Sequence, residues 1–182
     1  MTELTIQAAQ ADMRRAYFWG APGVLASGLV WLTAGVVAAQ GTEKAAVLAL
    51  LFGGAAIHPL GIVITKLFGR SGKHSAGNPL AGLAAEGTVW LIAGCAIAYG
   101  VHVLRIDWFF PAMLLVIGGR YLTFQTLYGL RVYWLFGALL CAAGVALALT
   151  RAPVVTGALT GAAIELLFAA VIYVQAKRGV AA

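Results

Sequence analysis

The sequence predicts an all-α, polytopic membrane protein of six transmembrane helices. Three observations carry that reading. The 182-residue chain is 62% hydrophobic and only 10% charged, with a mean hydropathy of +0.94, whereas a soluble domain carries about a quarter charged residues. Six apolar runs follow one another, each long enough to cross a hydrocarbon core of roughly 30 Å as a helix. Lys and Arg collect on alternate connections, as expected of a multi-pass chain. Helix is the conformation of choice, because an open chain in lipid must satisfy its own backbone.

The organisation is an N-terminal segment over residues 1–17, one transmembrane domain over 18–176, and a tail over 177–182. The spans are read as 18–40, 45–68, 79–103, 108–128, 132–149 and 153–176. Pro22, Pro79 and Pro153 fall at or near span starts, where a missing N–H costs little. Trp19, Trp108, Tyr128, Tyr133 and Tyr173 fall near span ends, as an aromatic belt would place them. The polar, mixed-charge start from Thr2 to Arg15 lacks the pattern of a cleaved signal peptide. Leu4 to Arg15 has the makings of a short surface helix, with Thr2 or Thr5 as its cap.

Orientation follows from the cations. Arg14, Arg15, Lys66, Arg70, Lys73, Arg131, Lys177 and Arg178 share one side, against Lys44, Arg105 and Arg151 on the other. The first set is expected to face the cytoplasm of a bacterial inner membrane, with both termini inside. The formal charge of +6 therefore reflects topology, and no clustered stripe calls for nucleic acid. The longest loop, Gly69 to Asn78, reads as a solvated basic linker. Its GRSGK lacks the spacing of a phosphate-binding loop. Cys95 and Cys141 sit in apolar runs without CxxC spacing and read as reduced, buried thiols.

An internal echo organises the spans further. Residues 28–35 read GLVWLTAG and residues 87–94 read GTVWLIAG, identical at six of eight positions. GAAIH at 54–58 answers GAAIE at 161–165, with a looser GG-R-Y-L-T at 118–123. The expectation is three tandem two-helix repeats around a pseudo-threefold axis along the membrane normal. Glycines such as Gly28, Gly35, Gly118 and Gly161 then let helices approach closely where no hydrophobic force drives association.

Ionisable groups deep in a bilayer are costly and mark sites or clamps. Here they are Glu86, Arg120 and Glu165, with His58 as a conditional fourth. The repeat makes His58, Thr123 and Glu165 equivalent, so an Arg120–Glu165 pair joined by Glu86 or His58 is the economical expectation. Tyr121, Gln125 and Tyr128 share one face of the fourth span, while Arg120 and Thr123 lie on an adjoining one. Pro59, directly after His58, removes a helical hydrogen bond and is expected to disturb its helix. The candidate ligand or proton site is thus His58, Glu86, Arg120, Tyr121, Thr123, Gln125 and Glu165.

Enzymatic templates fail in turn. HExxH and GxSxG are absent, and His58, His74 and His102 are not spaced as a metal cluster. No metal or cofactor is expected, and a haem would need a second mid-depth histidine.

The stretches ADMRRAYFWGAPGVLASGLVWLTAG, NPLAGLAAEGTVWL and above all FFPAMLLVIGGRYLTFQTLYGLRVYW resemble a family of small bacterial membrane proteins known only as a domain of unknown function. The resemblance covers nearly the whole chain and implies six membrane helices, but no activity. In architecture alone, three two-helix units, the chain is similar to the acid-resistance membrane proteins; no motif carries a function across.

The leading expectation is a small-molecule or proton-linked binding or transport protein with a polar mid-membrane site. The alternative is a structural or partner-binding protein whose buried charges only fix packing. The third is an intramembrane enzyme acting on a lipid or quinone. The expected partners are the bilayer itself, a small ligand or lipid, and a second copy of the chain.

Overall fold

The computed structural model describes residues 5–181, and among these there is no strand. A short helix, α1 (Ile6–Tyr17), precedes six long ones: α2 (Ala21–Gln40), α3 (Glu43–Leu67), α4 (Leu80–Leu104), α5 (Phe109–Tyr128), α6 (Val132–Thr150) and α7 (Val154–Ala181). Boundaries expected from the apolar runs agree to within a few residues, except that α7 runs on past Ala176. Pro22 sits in the first turn of α2. Pro59 lies inside α3, which remains one continuous helix through it.

Five helical segments are long and apolar enough to cross a membrane: the one containing α2, then α3, α4, α6 and α7. The sixth long helix, α5, has 20 residues but carries Arg120, Thr123, Gln125 and two tyrosines. Its burial explains the tolerance. Phe109, Phe110, Met113, Leu114, Ile117 and Tyr121 are all enclosed by protein, so α5 needs less apolar surface than a helix that faces lipid.

The helices form two sets. α2 packs along α3 and α7, while α5 packs along α6 and α4; α7 joins the sets through α5 and α6. Close approach depends on small residues. A Cβ on Gly118 would stand 2.8 Å from the Gly137 carbonyl, and one on Gly28 would stand 2.8 Å from the Leu166 side chain. α3 and α4 lie outermost, with Phe52 74% and Trp90 76% exposed, as lipid-facing groups would be. Not every glycine is a contact. Gly54 and Gly119 meet nothing within 4 Å.

The N-terminal segment does more than rest on a surface. Thr5 caps α1 by accepting from Ala8 N; Thr2 and Leu4 lie outside the described residues. Ala9, Met13 and Ala16, at i, i+4 and i+7, are buried. On its other faces α1 caps α5, whose last carbonyls would otherwise lack donors. Gln10 Nε2 donates to Thr126 O at 2.9 Å, and Arg14 donates to Tyr128 O.

The loop after α3 departs from the solvated linker expected of it. Ser75 N and Oγ donate to Asp12 at 2.9 and 3.0 Å. Asn78 Nδ2 donates to Asp12 Oδ2 at 2.8 Å and to Ala9 O at 3.1 Å. Gly72 N donates to Ala16 O, and Tyr17 shares a 2.8 Å hydrogen bond with His74. The loop is polar because α1 supplies its partners.

Desolvation pushes the Asp12 carboxyl up, but the hydrogen bonds from Asn78 and Ser75, with Arg15 nearby, outweigh it and hold the group below its ordinary value. Loop anchoring by Asp12 is therefore present above the unfolded carboxylate value of about 3.9 and is lost as pH falls through the lower folded value. Asp12→Ala is expected to speed tryptic cleavage at Arg70 and Lys73 at neutral pH. Unchanged cleavage would remove the anchoring role.

Candidate functional site

The central polar group is Glu165, the twelfth residue of α7 and so roughly 17 Å along it. It is completely buried. Tyr121 of α5 donates its hydroxyl to Glu165 Oε2 at 3.1 Å. The other carboxyl oxygen, Oε1, has no hydrogen-bond partner among the described residues. Buried polar atoms are nearly always satisfied, so an orphan acceptor at this depth calls for a proton, a water or a ligand atom.

Two residues of α2 complete the setting. Ser27, itself buried, lies beside Glu165 and Tyr121. Trp31, one turn further, has no exposed surface, and its Nε1 also lacks a partner. Its ring presses on α7 at Gly161, one turn before Glu165. An orphan donor on α2 and an orphan acceptor on α7 thus both occur where these two helices pack together.

Aromatic rings wall the site toward the basic end. Tyr121 stacks on Phe136 at 4.1 Å between centroids, and Phe136 on Phe168 at 4.5 Å. Tyr133 lies between Tyr121 and Tyr128, at 6.1 and 5.5 Å, and donates its hydroxyl to Trp19 O at 2.7 Å. Tyr128 and Tyr133 are therefore interior groups and form no part of an aromatic belt. Span-end position suggests a belt, but the fold turns both rings inward.

The expected Arg120–Glu165 pair is not formed. Arg120 and Tyr121 are neighbours, so their side chains leave α5 about 100° apart, and the one facing α7 is Tyr121. Arg120 instead donates to Gly87 O of α4 at 3.2 Å and lies over the Phe124 ring at 5.6 Å. Among the described residues the one ion pair is Arg105–Asp107, 2.6 Å apart at the opposite end of the bundle. His58 and Glu86 do not complete a network either. Both are exposed, on the outermost helices α3 and α4.

Thr123 and Gln125 belong to a different feature. With Thr126, Leu83, Leu122 and Trp134 they line a groove of about 510 Å³ among α4, α5 and α6. Thr123 Oγ1 donates to Arg120 O at 2.7 Å. The seven candidates thus divide into the enclosed Tyr121–Glu165 pair, the α5 groove with Thr123 and Gln125, Arg120 bonded to α4, and the outward His58 and Glu86. Ser27 and Trp31 were not singled out from sequence. Ser27 is the lone hydroxyl in the apolar GVLASGLVW, and Trp31 sits in the motif that recurs at 87–94.

No group of three or more His, Cys, Asp or Glu among the described residues is arranged to hold a metal ion. What the arrangement can do is hold a proton or a small polar group on Glu165, away from water, between three helices. Fold and site together define a multi-pass, all-helical membrane protein. Residues 6–175 match the profile described as a family of unknown function (DUF7010), and the chain belongs to that family. No curated protein and no solved structure matches it.

Proposed function

We propose that this protein is a six-span membrane protein of the bacterial inner membrane that binds or moves a small molecule or proton at Glu165. The observation that carries the reading is the fully buried Glu165 carboxyl, with one oxygen bonded to Tyr121 and the other unpartnered. Ionising a carboxyl there, with no cation in contact, would cost several kcal/mol, and this cost favours a reading in which Glu165 shares a proton or a polar ligand group. α5 is counted as a span because it runs the length of α6 between helices of spanning length. Both termini lie on the cytoplasmic side. In support, Arg14 and Arg15 of α1 and Gly179 of α7 line one cavity, at the end where the basic residues collect.

The sequence echo between the first and third spans supports three hairpins of common origin, whose environments have since diverged. The test is infrared difference spectroscopy on the purified protein in lipid across a pH series. A protonated-carboxyl band that disappears in Glu165→Gln, with coupled proton uptake, is the expected result. Absence of any such band in the wild type would overturn the reading.

A second reading is favoured by the aromatic stack around Tyr121: a clamp that fixes α5 to α7. It expects Glu165→Gln to leave both proton uptake and physiological activity intact, where the first expects both to be lost.

A further inference from the structure

We infer that the basic end of the bundle holds a binding site for a phosphate-bearing anion, built by Arg14, Arg15 and Arg70. These three arginines line a single cavity of about 160 Å³, together with Ala11, Phe18, Trp19 and Gly179. At ~30 Å³ of liquid per water, that is room for a phosphate group and its remaining hydration. Among the described residues no carboxylate lines it. Guanidinium forks match phosphate oxygens two at a time, which makes clustered arginines suited to this ligand.

The cations are held and not neutralised. Arg14 is anchored by its bond to Tyr128 O, and Arg70 lies over the Phe18 ring at 5.6 Å. Asp12 acts on Arg15, but Ser75 and Asn78 already occupy both its oxygens. None of the three arginines forms an ion pair among the described residues. Lys177 adds a further cation nearby, over Tyr173 at 5.1 Å, whose ring lies 5.7 Å from Phe18. Desolvation, the larger cause, and then Arg15 lower the Arg14 value; a bound anion would relieve the repulsion between the two.

The backbone gives an independent sign. Phe18 and Trp19 both adopt positive φ, 48° and 60°, a conformation that side chains other than glycine rarely take. Such strain collects at binding sites and is held by its surroundings. Here it seats Trp19 against Gly179 of α7 and so forms the wall of the cavity. Basic pockets between helices on the cytoplasmic side are characteristic sites for anionic lipid head groups, and a soluble phosphate offers the same chemistry.

The test uses the full chain, purified in a neutral detergent, with phosphatidylglycerol, phosphatidylcholine and inorganic phosphate as probes. Native mass spectrometry is expected to find phosphatidylglycerol retained over phosphatidylcholine. Retention should fall roughly tenfold or more in Arg15→Gln/Arg70→Gln, the weight of one charge-assisted hydrogen bond. It should be unchanged in Arg105→Gln at the far end. The single variant Arg15→Gln, which removes no hydrogen bond seen in the fold, gives the same direction without risk to folding. Displacement of lipid by inorganic phosphate, or phosphate binding alone, would assign the site to a soluble anion. Retention unaffected by the arginine variants, equal loss in Arg105→Gln, or no binding of either probe would overturn the site.

Discussion

Gly161→Ala is expected to destabilise the bundle by roughly 1–3 kcal/mol, while Gly54→Ala is expected to be neutral or to stabilise by up to about 1 kcal/mol. The two glycines open nearly identical pentapeptides, GAAIE and GAAIH. A Cβ at Gly161 would lie well inside contact distance of the Trp31 ring. That ring cannot retreat, because it has no exposed surface and is backed by Phe110 at 5.7 Å. The added methyl must therefore push α7 away from α2. A Cβ at Gly54 meets nothing within 4 Å, so alanine there only improves helix propensity. Unfolding of the two variants in mixed micelles, compared with wild type, measures both. Equal effects would mean that the α2–α7 approach does not hold the bundle together.

Tyr121→Phe is expected to cost roughly 1–3 kcal/mol, because it removes the Tyr121 hydrogen bond to the buried Glu165 carboxyl and leaves only Ser27 beside it. Hydrogen bonds between membrane helices average only about 0.6 kcal/mol by double-mutant cycles. The larger figure expected here comes from the orphaned group and not from the bond itself. The cycle separates the two. Glu165→Leu in the Tyr121→Phe background should recover part of the loss, since both polar partners are then gone together. Losses that simply add in the double variant would show that the two residues do not act as a pair. Proton uptake in the same proteins distinguishes a clamp from a site: a clamp leaves uptake unchanged wherever folding survives.

The helices were legible because lipid leaves the backbone few alternatives. Apolar run length, with Pro22 near a start, placed boundaries such as Val132 and Tyr128 directly. The run at 108–128 reads as a span like the others; five other helical segments prove long and apolar enough to cross a membrane, while α5, with Arg120 and Gln125, is enclosed by its neighbours. Position along the helix was also legible: Arg120 and Glu165 each stand twelfth in their helices. Azimuth was not. Whether Arg120 or Tyr121 met Glu165 depended on a rotation of about 100° about α5, which a polar sequence on several faces leaves open.

The same division runs through the whole protein. Sequence by itself determined the class, the number of long helices, the collection of basic residues on alternate connections, and which polar residues interrupt the long helices. These follow from composition and spacing, and lipid makes both strict. Tertiary structure alone decided which of those polar groups are enclosed. It turned His58 and Glu86 outward, set Glu165 against Tyr121 and Ser27, tied the basic loop to Asp12, and gathered Arg14, Arg15 and Arg70 around one cavity. The physical reason is that burial belongs to pairs of helices, and the partners α2 with α7 and α5 with α6 were chosen by close packing at particular glycines. A local pattern does not encode that choice, as Gly54 and Gly161 show within almost the same five residues.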